Sequence, residues 1–189
     1  MKSFSIPTRM GGRIYVGFER HGALWAPGGL KMFSNLKAKI LRHGGGIELR
    51  DLGSGLVTAQ GVQYMGAQWK TPGAVDITYH DSSTGVTAAA VTDTALAVAP
   101  AATVGDRAVG STSTSANSGN NYNLVSVATQ SYTGTLAITE WGFFRLARLA
   151  AAAPPGSDTM WDRKVFAAIN VGTGDSIQFT YTLTITSGG

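Results

Sequence analysis

The clearest periodicity in the chain is a run in which Ile177, Phe179, Tyr181, Leu183 and Ile185 alternate with Gln178, Thr180, Thr182, Thr184 and Thr186. Successive side chains of a strand point to opposite faces, so this run predicts a strand with one apolar and one hydroxyl-rich face, half-buried in an antiparallel sheet. Residues 74–80 alternate in the same way. Residues 122–129 and 134–141 predict two strands around a short turn, residues 161–171 a strand pair or a strand with a bulge, and residues 107–112 a short strand. Turns are predicted at 117–121, where Asn, Ser and Gly cluster, and at Gly172-Thr173-Gly174-Asp175. Residues 56–69 predict a helix capped by Ser54 or Gly55, with Val57, Met65 and Trp69 on one face. Gly61 and Gly66 each cost such a helix about 1 kcal/mol relative to Ala, and would let it lie close against a sheet. Residues 143–153 have helical propensity, stopped by Pro154-Pro155-Gly156. Residues 81–93 are loop-like and 97–121 are low in complexity. Several short strands between Gly, Ser and Asn turns predict a mostly β fold, an antiparallel β-sandwich with one short helix.

Residues 1–50 do not share this pattern. Gly11-Gly12, Gly28-Gly29 and Gly44-Gly45-Gly46 break them into pieces, among them a short strand at 13–18. Apolar residues at 32, 33, 36, 40 and 41 give the spacing of a short helix. Charge separates this part further. Residues 1–50 hold nine basic and two acidic side chains, +7, and the remaining 139 hold six basic and nine acidic, −3. The expectation is an extended basic N-terminal arm over 1–50, docking on a partner, and a β-sandwich body over 51–189; the alternative is that the first 50 residues add an outer layer to the body. The candidate docking residues are Arg9, Arg13, Arg20, Trp25, Lys37, Lys39 and Arg42.

Composition narrows the function. Charged residues make up 14% of the chain, against about 25% in an average soluble protein. So little charge favours a protein that packs against neighbours, as in an assembly. The 189 residues contain no cysteine, which removes disulfides, thiolate metal sites and thiol nucleophiles. No stretch is apolar for the length of a bilayer, and the first residues lack the apolar core of a signal peptide, so the expected place of synthesis is a reducing cytoplasm. The basic residues of the arm are spread over 50 positions and match no nucleic-acid module, so nucleic acid is not the expected partner.

A search for chemistry finds little. His21, His43 and His80 share no metal-ligand spacing with each other or with carboxylates. His80 is followed by Asp81, Ser82, Ser83 and Thr84, without the Gly-x-Ser-x-Gly pattern of a nucleophile elbow. Gly44-Gly45-Gly46 and Gly172-Thr173-Gly174 read as turns, not phosphate loops. Asp158, Asp162 and Asp175 form no acid–base pair. Glu140, set between an apolar strand and Trp141-Gly142-Phe143-Phe144, calls for an ion pair, with Arg163 the candidate partner. Glu140, Trp141 and Arg163 are therefore assigned structural roles, and no catalytic residue, metal or cofactor is expected.

From about residue 56 the chain carries a series of motifs in order: Gly55-Leu56-Val57-Thr58 with Gly61-Val62 and Tyr64-Met65; Tyr79-His80-Asp81-Ser82-Ser83-Thr84-Gly85-Val86-Thr87; Val91-Thr92-Asp93-Thr94-Ala95-Leu96; residues 136–144; residues 161–171; and residues 174–183. Over these it resembles a family of small, mostly uncharacterised tailed-phage virion proteins. It departs from the family pattern at Ser83, at Ala88-Ala89-Ala90 and in a longer 145–160 segment. The resemblance implies a non-enzymatic virion protein made in the host cytoplasm. It would bind other virion proteins (the major capsid protein, or portal, neck or tail proteins) as a homo-oligomer without membrane insertion. A capsid decoration, or cement, protein is the first expectation; a neck- or tail-attached adhesion protein touching the host surface is the alternative.

Overall fold

A computed structural model describes residues 30–70, 77–116, 121–147 and 159–187. Among the described residues, ten strands and one helix follow in the order β1 (Leu30–Leu41), β2 (Ile47–Gly53), β3 (Leu56–Val57), α1 (Ala59–Lys70), β4 (Tyr79–Ser83), β5 (Ala108–Val109), β6 (Ser111–Ala116), β7 (Asn121–Ser131), β8 (Leu136–Phe144), β9 (Met160–Val171) and β10 (Ser176–Ser187). They form two five-stranded sheets, one ordered β2-β1-β10-β7-β6 and the other β3-β9-β8-β4-β5. The sheets are antiparallel and make a β-sandwich.

The described residues divide into two compact units, one within 34–113 and 125–182, the other made of 30–33, 114–116, 121–124 and 183–187. In the smaller unit, Thr184 Oγ1 donates to Asn123 Oδ1 at 3.0 Å and Thr186 Oγ1 to Asn121 Oδ1 at 2.7 Å, so the hydroxyl face of β10 is used to tie it to β7. In the larger unit, the inner faces of the two sheets supply the core. Leu36, Ala38, Ile40, Ile177, Phe179 and Tyr181 come from the first sheet; Ile138, Trp141, Phe143, Ile169 and Val171 come from the second. Tyr181 packs on Trp141 and Phe143 with ring centroids 5.3 and 4.7 Å apart, close enough to add to the area term. The alternation of Ile177, Phe179 and Tyr181 read from the sequence is the spine of this core.

Several expectations are corrected. Residues 30–50 are not arm: β1 and β2 form a hairpin within the first sheet, and β1 lies between β2 and β10. The helix expected over 32–41 is a strand, because Leu36, Ala38 and Ile40 follow period 2 and are all buried. Sheet pairing on both sides outweighs a local helical spacing. Residues 1–29, including the strand expected at 13–18, lie outside the described residues. Residues 122–129 and 134–141 do not form a hairpin, since β7 and β8 belong to different sheets. The helix expected from 143 begins instead with the end of β8, where Phe144 pairs with Tyr79 and Met160; residues 148–158 lie outside the described residues. Residues 161–171 form one strand, with register shifts against β8 after Ile138 and Phe143.

The helix is present but starts later, because Leu56–Val57 pair with β9 as β3. Its cap is Thr58, whose Oγ1 accepts the Gly61 amide at 3.0 Å and donates to the Met160 carbonyl. A Cβ on Gly61 would lie 2.6 Å from the Trp161 carbonyl oxygen, whereas one on Gly66 would meet nothing within 4 Å. Only the first glycine is there for close approach. Gly66→Ala is therefore expected to stabilise the protein by about 0.5–1 kcal/mol. Gly61→Ala should destabilise it by about 1–3 kcal/mol, through overpacking against backbone. Urea unfolding of the two variants beside the wild type measures both signs.

Candidate functional site

The outer face of the second sheet is covered by α1 and by the segment joining β4 to β5, residues 84–107. This segment has almost no backbone ladder of its own. It is held by charged side chains that the strands beneath it bury.

The central group is Glu140 on β8. Its side chain is fully buried, and Arg163 on β9 places Nε 3.0 Å from Oε2. Oε2 also accepts the Ala97 amide at 2.8 Å. Oε1 accepts the Ser83 hydroxyl at 3.0 Å and the Val98 amide at 3.3 Å. The rest of the Arg163 guanidinium donates to Asp93 Oδ2 at 2.7 Å, to the Thr87 carbonyl at 2.9 Å and to the Ala88 carbonyl at 3.4 Å. Asp93 Oδ2 in turn accepts the Ala90 amide. Gly85 passes so close that a Cβ there would fall on Glu140 Oε1. The Val91 carbonyl accepts the Ala59 amide, joining the loop to the helix start.

The far end of the loop is held by a second pair. Arg107 Nε lies 3.0 Å from Asp81 Oδ2, its guanidinium sits 3.6 Å over the Phe144 ring, and one nitrogen donates to the Leu146 carbonyl. Gln130 on β7 donates to the Gly105 and Asp106 carbonyls and to Asp81 Oδ1. The result is a long segment fixed at both ends and in the middle. It contains a single charged residue between 84 and 105, Asp93, which is bound to Arg163. What faces solvent is Val, Ala and Thr, including Val86, Val91 and Val98 at 75, 54 and 44% exposure.

Of the residues singled out from the sequence, the structure brings Glu140 and Arg163 together. It places Trp141 in the core, with its indole N–H 3.2 Å from His80 Nδ1. Lys37 and Lys39 lie on the outer face of β1, Lys37 opposite Asp51. Arg42 is no free docking group: it reaches Glu48 and Asp175 at 3.0 Å each and the Asn170 carbonyl at 2.6 Å. The amides of His43 and Gly172, with the Arg42 guanidinium, hold the Asp175 carboxyl below the usual carboxylate range. Arg9, Arg13, Arg20 and Trp25 lie outside the described residues.

Asp81, Asp93 and Arg107 were missed. The signal was present: in a body this poor in charge, an Arg or Asp among apolar strands and small-residue loops has a partner. The pairings themselves depend on which strands are neighbours.

The inner face carries polar groups as well. His80 Nδ1 accepts the Trp141 N–H, so the neutral ring carries its proton on Nε2, which meets Ser126 Oγ at 2.9 Å. Burial pushes His80 down to about 3, and the ring offers Ser126 a proton rather than a lone pair. Ser82 Oγ is shared between Gln130 Oε1 and Tyr132 Oη. Asp162 accepts the Tyr181 hydroxyl at 3.0 Å, and Trp161 Nε1 donates to the same Tyr181 oxygen at 2.9 Å. Burial pushes the Asp162 carboxyl up to about 6, against the opposing pull of Tyr181, of Ser34 and of nearby amides. Among the described residues, no three His, Asp or Glu side chains converge as metal ligands, and no helix is long and apolar enough to cross a membrane.

Comparison with family models, with curated proteins and with solved structures finds no match to this chain.

Two outcomes test the site. Glu140→Gln leaves the Arg163 charge buried with only Asp93 to offset it. The expected loss is about 3–5 kcal/mol of unfolding free energy, with new protease cleavage inside 84–105; Asp93→Asn, at the solvent edge, should cost much less. An unchanged unfolding curve for Glu140→Gln would overturn the assignment. The second outcome is a pH dependence. His80 is neutral in the fold, so its contribution is full above pH 6.5 and is lost as pH falls toward 3. Asp162 is raised, so its penalty is absent below about pH 4 and complete above about 6. The two slopes oppose between pH 4 and 6. Wild-type stability should be nearly flat there, while Asp162→Asn should lose up to about 1.4 kcal/mol per pH unit on acidification. Denaturant titrations at four pH values measure both slopes.

Proposed function

We propose that this chain is a structural protein of a tailed double-stranded-DNA bacteriophage virion, a capsid decoration protein that binds a repeating protein surface. One observation carries the reading: the exposed face of residues 84–105 is uncharged, and it is fixed in shape by buried ion pairs. A rigid surface of Val, Ala and Thr costs little side-chain entropy to immobilise and little desolvation to cover. Such a face suits contact with many copies of one partner, each contact modest and all alike. The motif series from residue 55 onward supports the phage assignment, and the low charge of the chain supports life within an assembly.

Cryo-electron microscopy of purified particles of the phage that encodes the chain tests this reading. The expected result is density for the sandwich repeated over the head lattice. Val86→Glu combined with Val98→Glu should fold as wild type yet fail to load onto particles lacking the protein. Density confined to the neck or tail would instead favour an adhesion protein that meets the host surface. Particles without the chain would overturn the virion assignment altogether.

A further inference from the structure

Among the described residues β2 is an open edge of the first sheet, and its side chains suit pairing with a second copy of itself. Its sequence, Ile47-Glu48-Leu49-Arg50-Asp51-Leu52-Gly53, contains neither proline nor lysine, and its charges are of both signs, so a matching strand can neutralise them. Ile47 and Leu49 are 61 and 74% exposed. The second sheet ends in β3 and β5, two residues each, too short to template much pairing.

The hairpin geometry shows which backbone groups are open. The Arg42 amide donates to the Gly46 carbonyl at 2.8 Å, closing the turn. With Ile40 opposite Glu48 and Ala38 opposite Arg50, Glu48 and Arg50 direct N–H and C=O toward β1. Ile47, Leu49 and Asp51 direct theirs outward. Their side chains lie on the outer face, those of Glu48 and Arg50 on the inner.

We infer that β2 pairs antiparallel with β2 of a second copy, about a two-fold axis at Leu49. In a continuous sheet, residues opposite one another share a face, so the axis must pass through a residue of β2. An axis at Glu48 sets Glu48 against its own copy, and one at Arg50 does the same for Arg50; both oppose like charges. An axis at Leu49 sets Glu48 opposite Arg50 of the other copy, twice, and Leu49 opposite Leu49. Ile47 then faces Asp51, with its diagonal neighbour Leu49, so four aliphatic side chains cover the outer face of the joint. The outward N–H and C=O groups of Ile47, Leu49 and Asp51 fall into hydrogen-bonded pairs in this register and are satisfied. Glu48 already lies between Arg42 and Arg50 of its own chain, 3.0 and 2.9 Å away, so the joint extends an existing charge ladder. The sheet's other edge, β6, is Ser, Thr and Ala and offers Glu48 and Arg50 no charge to meet. This inference does not rest on the virion assignment.

The purified full-length chain tests it. Sedimentation over a wide concentration range should show a mass that doubles reversibly. Leu49→Lys, which opposes two ammonium groups across the axis, should weaken the dimer on the order of tenfold or more and leave thermal unfolding of the monomer unchanged. The chain has no cysteine, so Leu49→Cys should form a disulfide-linked dimer under mild oxidant. Ile47→Cys should not, because its own copy lies well beyond disulfide reach in this register. A mass that never doubles, a dimer indifferent to Leu49→Lys, equal cross-linking of the two cysteine variants, or growth into filaments would each overturn the two-fold β2 joint.

Discussion

Glu140 and Arg163 face each other across β8 and β9 with essentially no exposure to solvent, and neither charge is tolerable there alone. An ion pair removed from water recovers its desolvation cost only when the remaining lone pairs and protons are also satisfied. Here the loop over 84–105 does that. Its amides at Ala97 and Val98 bond the carboxylate, and its carbonyls at Thr87 and Ala88 bond the guanidinium. The dependence is mutual, because those backbone groups have no strand to pair with. Long segments without secondary structure are uncommon in compact domains, and this one is ordered by exchanging a backbone ladder for two buried side chains.

The inner face solves a different problem with similar means. Two apolar sheet faces can slide against each other at little cost, and a strand slipped by one residue turns its whole set of side chains over. The polar contacts between the sheets oppose both. His80 meets Ser126, Ser82 meets Gln130, and Asp162 meets Tyr181, each a strand of one sheet reaching a strand of the other, and Ser82 also meets Tyr132 just past the end of β7. Burial makes an unmatched member costly, so only one relative position satisfies all of them. The shifted acid–base behaviour of His80 and Asp162 is a by-product of this arrangement: one is kept neutral by burial and the other made harder to ionise.

The parts of this fold legible in the sequence are those fixed by local pattern. The alternation at 177–185 and the runs in β7, β8 and β9 mark their strands because one face of each meets a core. Glu140 and Arg163 could be matched because a carboxylate amid such bulk requires a cation and the body has few. What escaped depends on contacts distant along the chain. Residues 32–41 carry apolar spacing compatible with a helix, and only the neighbours β2 and β10 select a strand. Nothing in the short connection between β7 and β8 says that the chain changes sheets there. Residues 81–93 read as loop and 97–121 as low in complexity, and the order of the 84–107 segment was not legible because Glu140, Arg163 and Asp81, which supply it, lie elsewhere in the sequence.

The same economy of charge shapes the outside. In the body, the ionised groups of the loop region are turned inward and consumed, so the loop surface is neutral without being soft. A neutral face gives contact area with little desolvation penalty but little preference for one orientation over another. The charges that remain at the β2 edge have the complementary property. Glu48 and Arg50 bury little apolar area, yet their alternation distinguishes one pairing register from its neighbours by whether they meet opposite or like charge. The neutral loop face lies over the second sheet and the charged edge belongs to the first, so the two surfaces are built from different strands and different side chains.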